Sequence, residues 1–228
     1  MRTLIELYYI PGSAGNFFSR CLNLLDNAYC WVPPTATKFS FTLEEKRKML
    51  SYAIVKNRVY DIDNFNSVSP QKNWIRFEGQ LRPFENPRNG TDYSMLPNDA
   101  TAIWVSHSHS HTMRLDHHNR IFFFIDPTDA FEWCILNLLY KDSTIDMGFL
   151  SCTVQLKNNP VINKISLAKI IRDRNSFIKE FYRACDIFNR QVTDIETECI
   201  LELYDQWVTT TLPKEKFPEF KDQIGWYL

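Results

Sequence analysis

A glycine-containing turn between an apolar segment and an amphipathic segment most constrains what this chain can fold into. Residues 4–10 are apolar except for Glu6, and Gly12 and Gly15 follow directly. Beyond the turn, apolar side chains recur at helical spacing: Phe17, Phe18, Cys21, Leu22 and Leu25. An apolar run, a glycine turn and an amphipathic run in this order predict a strand, a tight loop and a helix.

Such a strand–loop–helix unit points several backbone N–H groups and the positive end of the helix dipole toward one place. A phosphate or sulfate group can bind there without any charged side chain. The spacing is not that of a Walker A loop, because only two residues separate Gly12 from Gly15 and Asn16 follows. The same pattern also fits an ordinary turn that needs small residues for close packing, so the residues alone leave both interpretations open.

Strand and helix patterns alternate along the rest of the chain. Residues 100–105 and 121–125 predict two more strands, and the second is apolar on both faces, as in the middle of a parallel sheet. Helices are predicted over 43–56, 127–140 and 166–188, and a further strand over 199–204. This alternation predicts an α/β fold of three layers, α/β/α, around a mostly parallel central sheet.

The length of 228 residues fits one α/β domain, over residues 1–228, with an irregular insertion at 57–98. Helical and strand periodicity fade in the insertion, which is rich in proline and aromatic residues. It is too aromatic to be disordered. Either it covers a site as a lid or acceptor-binding wall, or it is a structural flap without a ligand.

The charge and apolar patterns exclude several classes of partner. A net charge of −1 gives no overall electrostatic footprint for nucleic acid. No apolar run reaches the roughly 18 residues that span a bilayer, and the first residues do not have the form of a signal peptide. Six scattered cysteines without a Cys-x-x-Cys pair favour reduced thiols in a cytoplasmic protein.

Two blocks of the sequence resemble sulfotransferases. Residues 11–18, Pro-Gly-Ser-Ala-Gly-Asn-Phe-Phe, are similar to the phosphosulfate-binding loop that follows the first strand of that family. Residues 121–130, Ile-Phe-Phe-Phe-Ile-Asp-Pro-Thr-Asp-Ala, are similar to its strand followed by Arg-Asp-Pro-x-Asp. Fainter similarities at 103–107 and 200–205 keep the order of the family. The resemblance implies a P-loop-like, sulfotransferase-like fold.

The resemblance also implies a reaction. A sulfuryl group would pass from 3′-phosphoadenosine 5′-phosphosulfate (PAPS) to a hydroxyl or amine acceptor, such as that of a carbohydrate, without a metal ion. His107, at the end of the second predicted strand, would be the catalytic base, since a neutral imidazole can take the proton of the acceptor. The residues implied for binding PAPS are Gly12, Ser13, Ala14, Gly15, Asn16, Phe17 and Arg20.

Within that set the expected roles differ. Backbone N–H groups of residues 13–16 would hold the phosphosulfate, and the side chains of Ser13 and Asn16 would add hydrogen bonds. Arg20 either replaces the cation that the loop lacks or is a charge on the surface of the helix. Asp126 and Asp129 are interpreted as residues that start a helix rather than as catalysts.

Three positions depart from the pattern of the family. Gly12 stands in place of the loop Lys or Arg, Ile125 in place of the Arg that contacts the 3′-phosphate, and Trp133 in place of a Ser. These departures favour an alternative function, a non-catalytic nucleotide- or anion-binding protein on the same fold.

The histidines support a third alternative. All five occur within twelve residues: His107, His109, His111, His117 and His118. The first three alternate, so in an extended chain they would share one face and could hold Zn²⁺ in a metal-dependent hydrolase. A polar surface loop explains the same residues equally well.

Overall fold

The structure is a computed structural model, which describes residues 3–10, 12–29, 31–32, 42–50, 53–55, 58–60, 75–76, 99–107, 120–140 and 147–210. The strands are β1 (Thr3–Tyr9), β2 (Ala28–Tyr29), β3 (Trp31–Val32), β4 (Ala53–Val55), β5 (Arg58–Tyr60), β6 (Ile75–Arg76), β7 (Thr101–His107), β8 (Arg120–Asp126) and β9 (Asn163–Ser166). The helices are α1 (Gly15–Leu24), α2 (Leu43–Leu50), α3 (Phe131–Tyr140), α4 (Met147–Asn158), α5 (Leu167–Arg172), α6 (Arg174–Ile187) and α7 (Asp194–Thr210). A short 3₁₀ helix, Thr128–Ala130, precedes α3.

A parallel sheet lies at the centre of the fold. Its strand order is β2-β7-β1-β8-β9, and every neighbouring pair is parallel. Four of these strands have four to seven residues, and β2 adds a two-residue strand at one edge. The predicted α/β fold with a mostly parallel sheet is therefore confirmed.

The two central strands are buried on both faces. Along β8, the side chains of Phe123 and Ile125 belong to one apolar cluster, and those of Phe122 and Phe124 belong to a second. Successive side chains of a strand point to opposite faces, so the two clusters lie on opposite sides of the sheet. The prediction that residues 121–125 form an interior strand is confirmed, because β8 lies between β1 and β9.

Helices contribute the remaining residues of each apolar cluster. Apolar residues of α1, α5, α6 and α7 pack in the larger cluster, and Leu156 of α4 packs with Tyr8, Phe122 and Phe124 in the smaller one. The described helices thus cover both faces of the sheet, which is consistent with three layers.

A buried ion pair crosses from β1 to β8. The Glu6 carboxylate accepts hydrogen bonds from Arg120 Nη1 and from the Tyr8 hydroxyl, the latter at 2.7 Å. The side chains of Glu6 and Arg120 are 3% and 9% exposed. Burial of a carboxylate is tolerated here because two donors satisfy it.

The predicted strand over 199–204 is wrong, because these residues lie inside helix α7. A capping box starts this helix: the Glu196 carboxylate accepts from the Thr193 N–H at 2.8 Å, and the Glu196 N–H donates to Thr193 Oγ1 at 3.2 Å. Buried residues then recur at helical spacing: Ile200, Leu203, Tyr204 and Trp207. The faint similarity of 200–205 to a late strand fails for the same reason.

Other boundaries also differ from the predictions. The helix expected over 43–56 ends at Leu50, and residues 53–55 pair with β5 as an antiparallel strand. The helix expected from Ser166 is divided in two, since Ser166 caps α5 and Asp173 caps α6. A short strand that the sequence did not indicate, β9, precedes them. Most of the predicted insertion at 57–98 lies outside the described residues.

None of the helices that the structure describes is long and apolar enough to cross a membrane.

Three cysteines lie in the core as thiols: Cys21, Cys134 and Cys185. Burial raises the pKa of the Cys21 and Cys185 thiols and raises that of Cys134 to about 12. Desolvation lowers the pKa of the buried Lys46 ammonium to about 8, while Lys46 Nζ donates to the carbonyls of Leu25 and Ala28. The thiols and the amine therefore have opposite effects on stability at alkaline pH.

We expect the free energy of unfolding to fall by about 2 kcal/mol per pH unit between pH 9 and pH 10. Thiols of the unfolded chain ionise from about pH 8.5, whereas the buried thiols stay protonated until higher pH, so the folded state binds more protons and loses stability as pH rises. Lys46 opposes this loss, but it is one group against three. Urea unfolding at a series of pH values, under reducing conditions, measures the slope. Cys134→Ala should reduce the slope by about half, because it leaves two thiols against one amine, and an unchanged slope would contradict this assignment.

Candidate anion-binding site

The loop after β1 lies at the point where the connections of the sheet change direction. From β1 the chain passes through α1 to β2, toward one edge of the sheet, whereas from β8 it passes through α3 and α4 to β9, toward the other edge. Strands β1 and β8 are neighbours. Open α/β sheets bind ligands in the crevice outside the carboxyl ends of such strands.

Two residues of the loop have a left-handed backbone. Gly12 has φ 86°, and Ala14 has φ 62° and ψ 17°. This conformation costs an alanine about 1–2 kcal/mol, and such strain often occurs at ligand sites. Ala14 is the N-cap of α1 and its carbonyl accepts the first helical hydrogen bond, from the Phe18 N–H at 2.9 Å. The two left-handed residues turn the chain from the strand into the helix.

Ser13 closes the turn. Its N–H and its hydroxyl both donate to the Ile10 carbonyl, at 3.1 Å and 2.6 Å, and its side chain is fully buried. This differs from the expectation that the Ser13 amide and hydroxyl contact the ligand. Both hydrogens are already used inside the turn, so Ser13 shapes the loop and does not face the crevice with a donor.

Three of the amides that follow Ser13 are not paired within the described part of the chain. The N–H groups of Ala14, Gly15 and Phe17 donate no hydrogen bond to any residue that the structure describes. The first turn of α1 has no acidic side chain, and its N-cap side chain makes no capping hydrogen bond. First-turn amides without capping groups, at the positive end of the helix dipole, form a site that favours an anion.

Gly15 is required by packing. A Cβ atom at this position would lie 2.0 Å from Cγ of the Tyr9 ring. The Tyr9 hydroxyl reaches past Gly15 and donates to Asn16 Oδ1 at 2.6 Å. The interpretation of the glycine turn as a close-packed turn is therefore confirmed for Gly15, and it does not exclude an anion at the neighbouring amides.

Asn137, in α3, holds the loop from the side of β8. Its Nδ2 donates to the Gly12 carbonyl at 3.1 Å, and the side chain is about 5% exposed. Its Oδ1 is buried and has no hydrogen-bond partner among the described residues. Asn137 was not among the predicted site residues, although a polar residue inside a mostly apolar helix was a usable signal.

Two of the other residues implied for binding PAPS, Arg20 and Phe17, have buried side chains. Arg20 is fully buried, so the interpretation of Arg20 as a surface charge is wrong. The Phe17 ring stacks on Trp207, with centroids 4.3 Å apart, so only its main chain can reach a ligand. Ile125 is fully buried and Trp133 lies 6.0 Å from Trp207, so both take part in apolar packing.

His107 ends β7, as predicted. In the register of the sheet its Cα is the partner of Tyr9, which is the last residue of β1. The main chain of His107 therefore lies beside the start of the loop, at the carboxyl edge of the sheet. The other four histidines lie outside the described residues, and within the described ranges no three His, Cys, Asp or Glu side chains are grouped to hold a metal.

The aspartates at the end of β8 and shortly after it, Asp126 and Asp129, shape local structure, as expected. Asp126 Oδ1 accepts from the N–H and the hydroxyl of Thr128, at 3.0 Å and 2.5 Å. Asp129 accepts from Ser166 Oγ and, at 3.1 Å, from the Ala168 N–H, so it supports the start of α5 rather than only its own helix. Both carboxylates are used by protein donors.

No protein-family model, curated protein or solved structure matches this chain.

Proposed function

We propose that this protein is a cytoplasmic, sulfotransferase-like enzyme that binds PAPS at the loop between β1 and α1. The observation that carries the proposal is the set of available amides of Ala14, Gly15 and Phe17 at the switch point of the sheet. The 5′-phosphosulfate would accept their hydrogen bonds. The sulfotransferase-like fold is part of the proposal, supported by a first strand that is central in the sheet and leads directly into this loop.

In the proposed reaction the acceptor oxygen or nitrogen attacks the sulfur atom in line with the bond to the leaving phosphate. A new bond from sulfur to the acceptor forms, the bond from sulfur to the phosphate oxygen breaks, and 3′-phosphoadenosine 5′-phosphate leaves. The loop amides would stabilise the negative charge that grows on the leaving phosphate oxygen. No metal ion is needed for these steps.

His107 is the proposed base that takes the acceptor proton. Support comes from its main-chain position, one strand away from β1 and in register with Tyr9. An imidazole is suited to this role because its pKa lies near neutral pH.

A non-catalytic anion- or nucleotide-binding protein is the second candidate. One observation favours it: Ile125 and Trp133, at positions where the resembled family contacts the donor, pack among apolar side chains. Neither can hold a 3′-phosphate. Both candidates share the loop site and differ only in whether transfer follows binding.

Calorimetric titration with 3′-phosphoadenosine 5′-phosphate tests the shared site. We expect Ala14→Asp to weaken binding by about 30-fold or more, because a carboxylate would lie beside the bound anion. The variant should fold, since aspartate tolerates a left-handed backbone and a carboxylate at a helix N-terminus is favourable. Ala14→Gly is the neutral control. Glycine also adopts positive φ, so the affinity of Ala14→Gly for the nucleotide should stay within about threefold of that of the wild type.

Three outcomes would change the conclusion. A folded wild-type protein that binds no nucleotide at millimolar concentration would refute the PAPS-dependent enzyme and would leave only a non-catalytic protein that binds another anion. Equal affinities of Ala14→Asp and the wild type would place the ligand elsewhere. Tight binding without release of nucleotide product from PAPS, over a panel of hydroxyl and amine acceptors, would favour the non-catalytic candidate.

A further inference from the structure

The buried oxygen of Asn137 requires an explanation. A buried acceptor without a partner is unfavourable, and such groups are rare in native structures, where they often mark a bound water or ligand. The described residues offer no donor to Asn137 Oδ1, although the side chain is about 5% exposed. A donor group on a bound molecule would satisfy this oxygen.

The orientation of the carboxamide is fixed by its neighbour. The Gly12 carbonyl can only accept a hydrogen bond, so the NH₂ group of Asn137 must face it, at 3.1 Å. Oδ1 shares its carbon with that NH₂ group, so it is an acceptor held beside the loop. Asn137 belongs to α3, which follows β8, whereas Gly12 follows β1, so the contact bridges the two strands that flank the crevice.

We infer that Asn137 Oδ1 accepts a hydrogen bond from a hydroxyl or amino group of the ligand whose anionic group binds the loop amides. This inference rests on the proposed function and narrows its ligand. The ligand is a phosphorylated or sulfated molecule with an O–H or N–H donor near its anionic group, rather than a bare oxyanion. A site with a buried acceptor discriminates strongly against analogues that lack the matching donor.

The test compares two probes, inorganic sulfate and 3′-phosphoadenosine 5′-phosphate, on the wild type and on Asn137→Leu. Sulfate carries no donor at neutral pH, whereas the nucleotide carries both hydroxyl and amino donors. We expect the substitution to weaken nucleotide binding at least about tenfold more than sulfate binding. The melting temperature of the ligand-free variant should stay close to that of the wild type, since the substitution removes an unsatisfied oxygen together with one hydrogen bond.

Asn163→Leu is the matched control. Asn163 Nδ2 donates to the Phe122 carbonyl, also at 3.1 Å, so it makes the same kind of bond away from the loop. Asn163→Leu should leave the affinities for sulfate and for the nucleotide unchanged.

If Asn137→Leu weakens both probes equally, Asn137 only holds Gly12 in place; the inference is then overturned and the proposed anion site stands. If the folded wild type binds neither probe, the proposed function fails and the inference fails with it.

Discussion

Replacing Arg120 with alanine is expected to destabilise the protein by about 3–5 kcal/mol. The substitution removes the cation that faces the Glu6 carboxylate between the two central strands. The Tyr8 hydroxyl would still donate to Glu6, at 2.7 Å, but the carboxylate would stay buried after its arginine partner is lost. Removing one partner of a buried pair is far more costly than replacing both with apolar groups.

Chemical unfolding of Arg120→Ala, Glu6→Gln and the double variant measures this effect. In the double variant the buried charge is gone, so it should be more stable than Arg120→Ala alone. Arg47→Ala is the exposed control, because Arg47 and Glu202 form an ion pair at 2.7 Å whose side chains are 46% and 42% exposed. Arg47→Ala should therefore lose much less stability than Arg120→Ala. A similar loss in both arginine variants would show that the burial of the Glu6–Arg120 pair is unimportant.

Gly15→Ala is expected to destabilise the protein by about 3 kcal/mol or more. The added methyl group would overlap the ring of Tyr9, whose Cγ lies 2.0 Å from the ideal Cβ position. The ring has little room to move, because Tyr9 is 2% exposed and its hydroxyl is bonded to Asn16. The helix would have to shift away from the strand at the base of the loop.

A double-mutant cycle separates this clash from a general intolerance of substitution at the loop. Tyr9→Ala removes the ring and is itself destabilising, but in that background Gly15→Ala should cost less than about 1 kcal/mol. Additive losses of stability would contradict the clash. Because of this clash, ligand binding can be tested in a folded variant at Ala14 but not at Gly15.

The sequence predicted the central part of the fold well, because that part is specified by local patterns. Strands β1, β7 and β8 are short apolar runs bounded by polar or glycine residues, and α1 is an amphipathic run directly after a glycine turn. The errors fall where two patterns compete. Residues 199–204 are a short, largely apolar run that suggests a strand, but the capping box at Thr193 and Glu196 starts a helix that continues through them.

The candidate site was predicted in position but not in detail. The glycine turn correctly indicated a loop whose amides lie at a helix N-terminus. Which amides are available depends on the internal hydrogen bonds of Ser13, which no spacing rule reveals. The contact between Asn137 and Gly12 joins residues 125 positions apart, so it follows from the tertiary packing of α3 and not from local sequence.

The position of β1 in the sheet has a consequence for biosynthesis. Its two neighbours, β7 and β8, come roughly 100 residues or more later in the chain, as in the pairing of Thr3 with Thr101 and of Leu4 with Arg120. Contacts of such long sequence separation slow folding. While the chain is being translated, this apolar segment leaves the ribosome well before either partner strand exists. Nascent chains that end before β8 therefore expose an unpaired edge of β1, which makes them prone to aggregation.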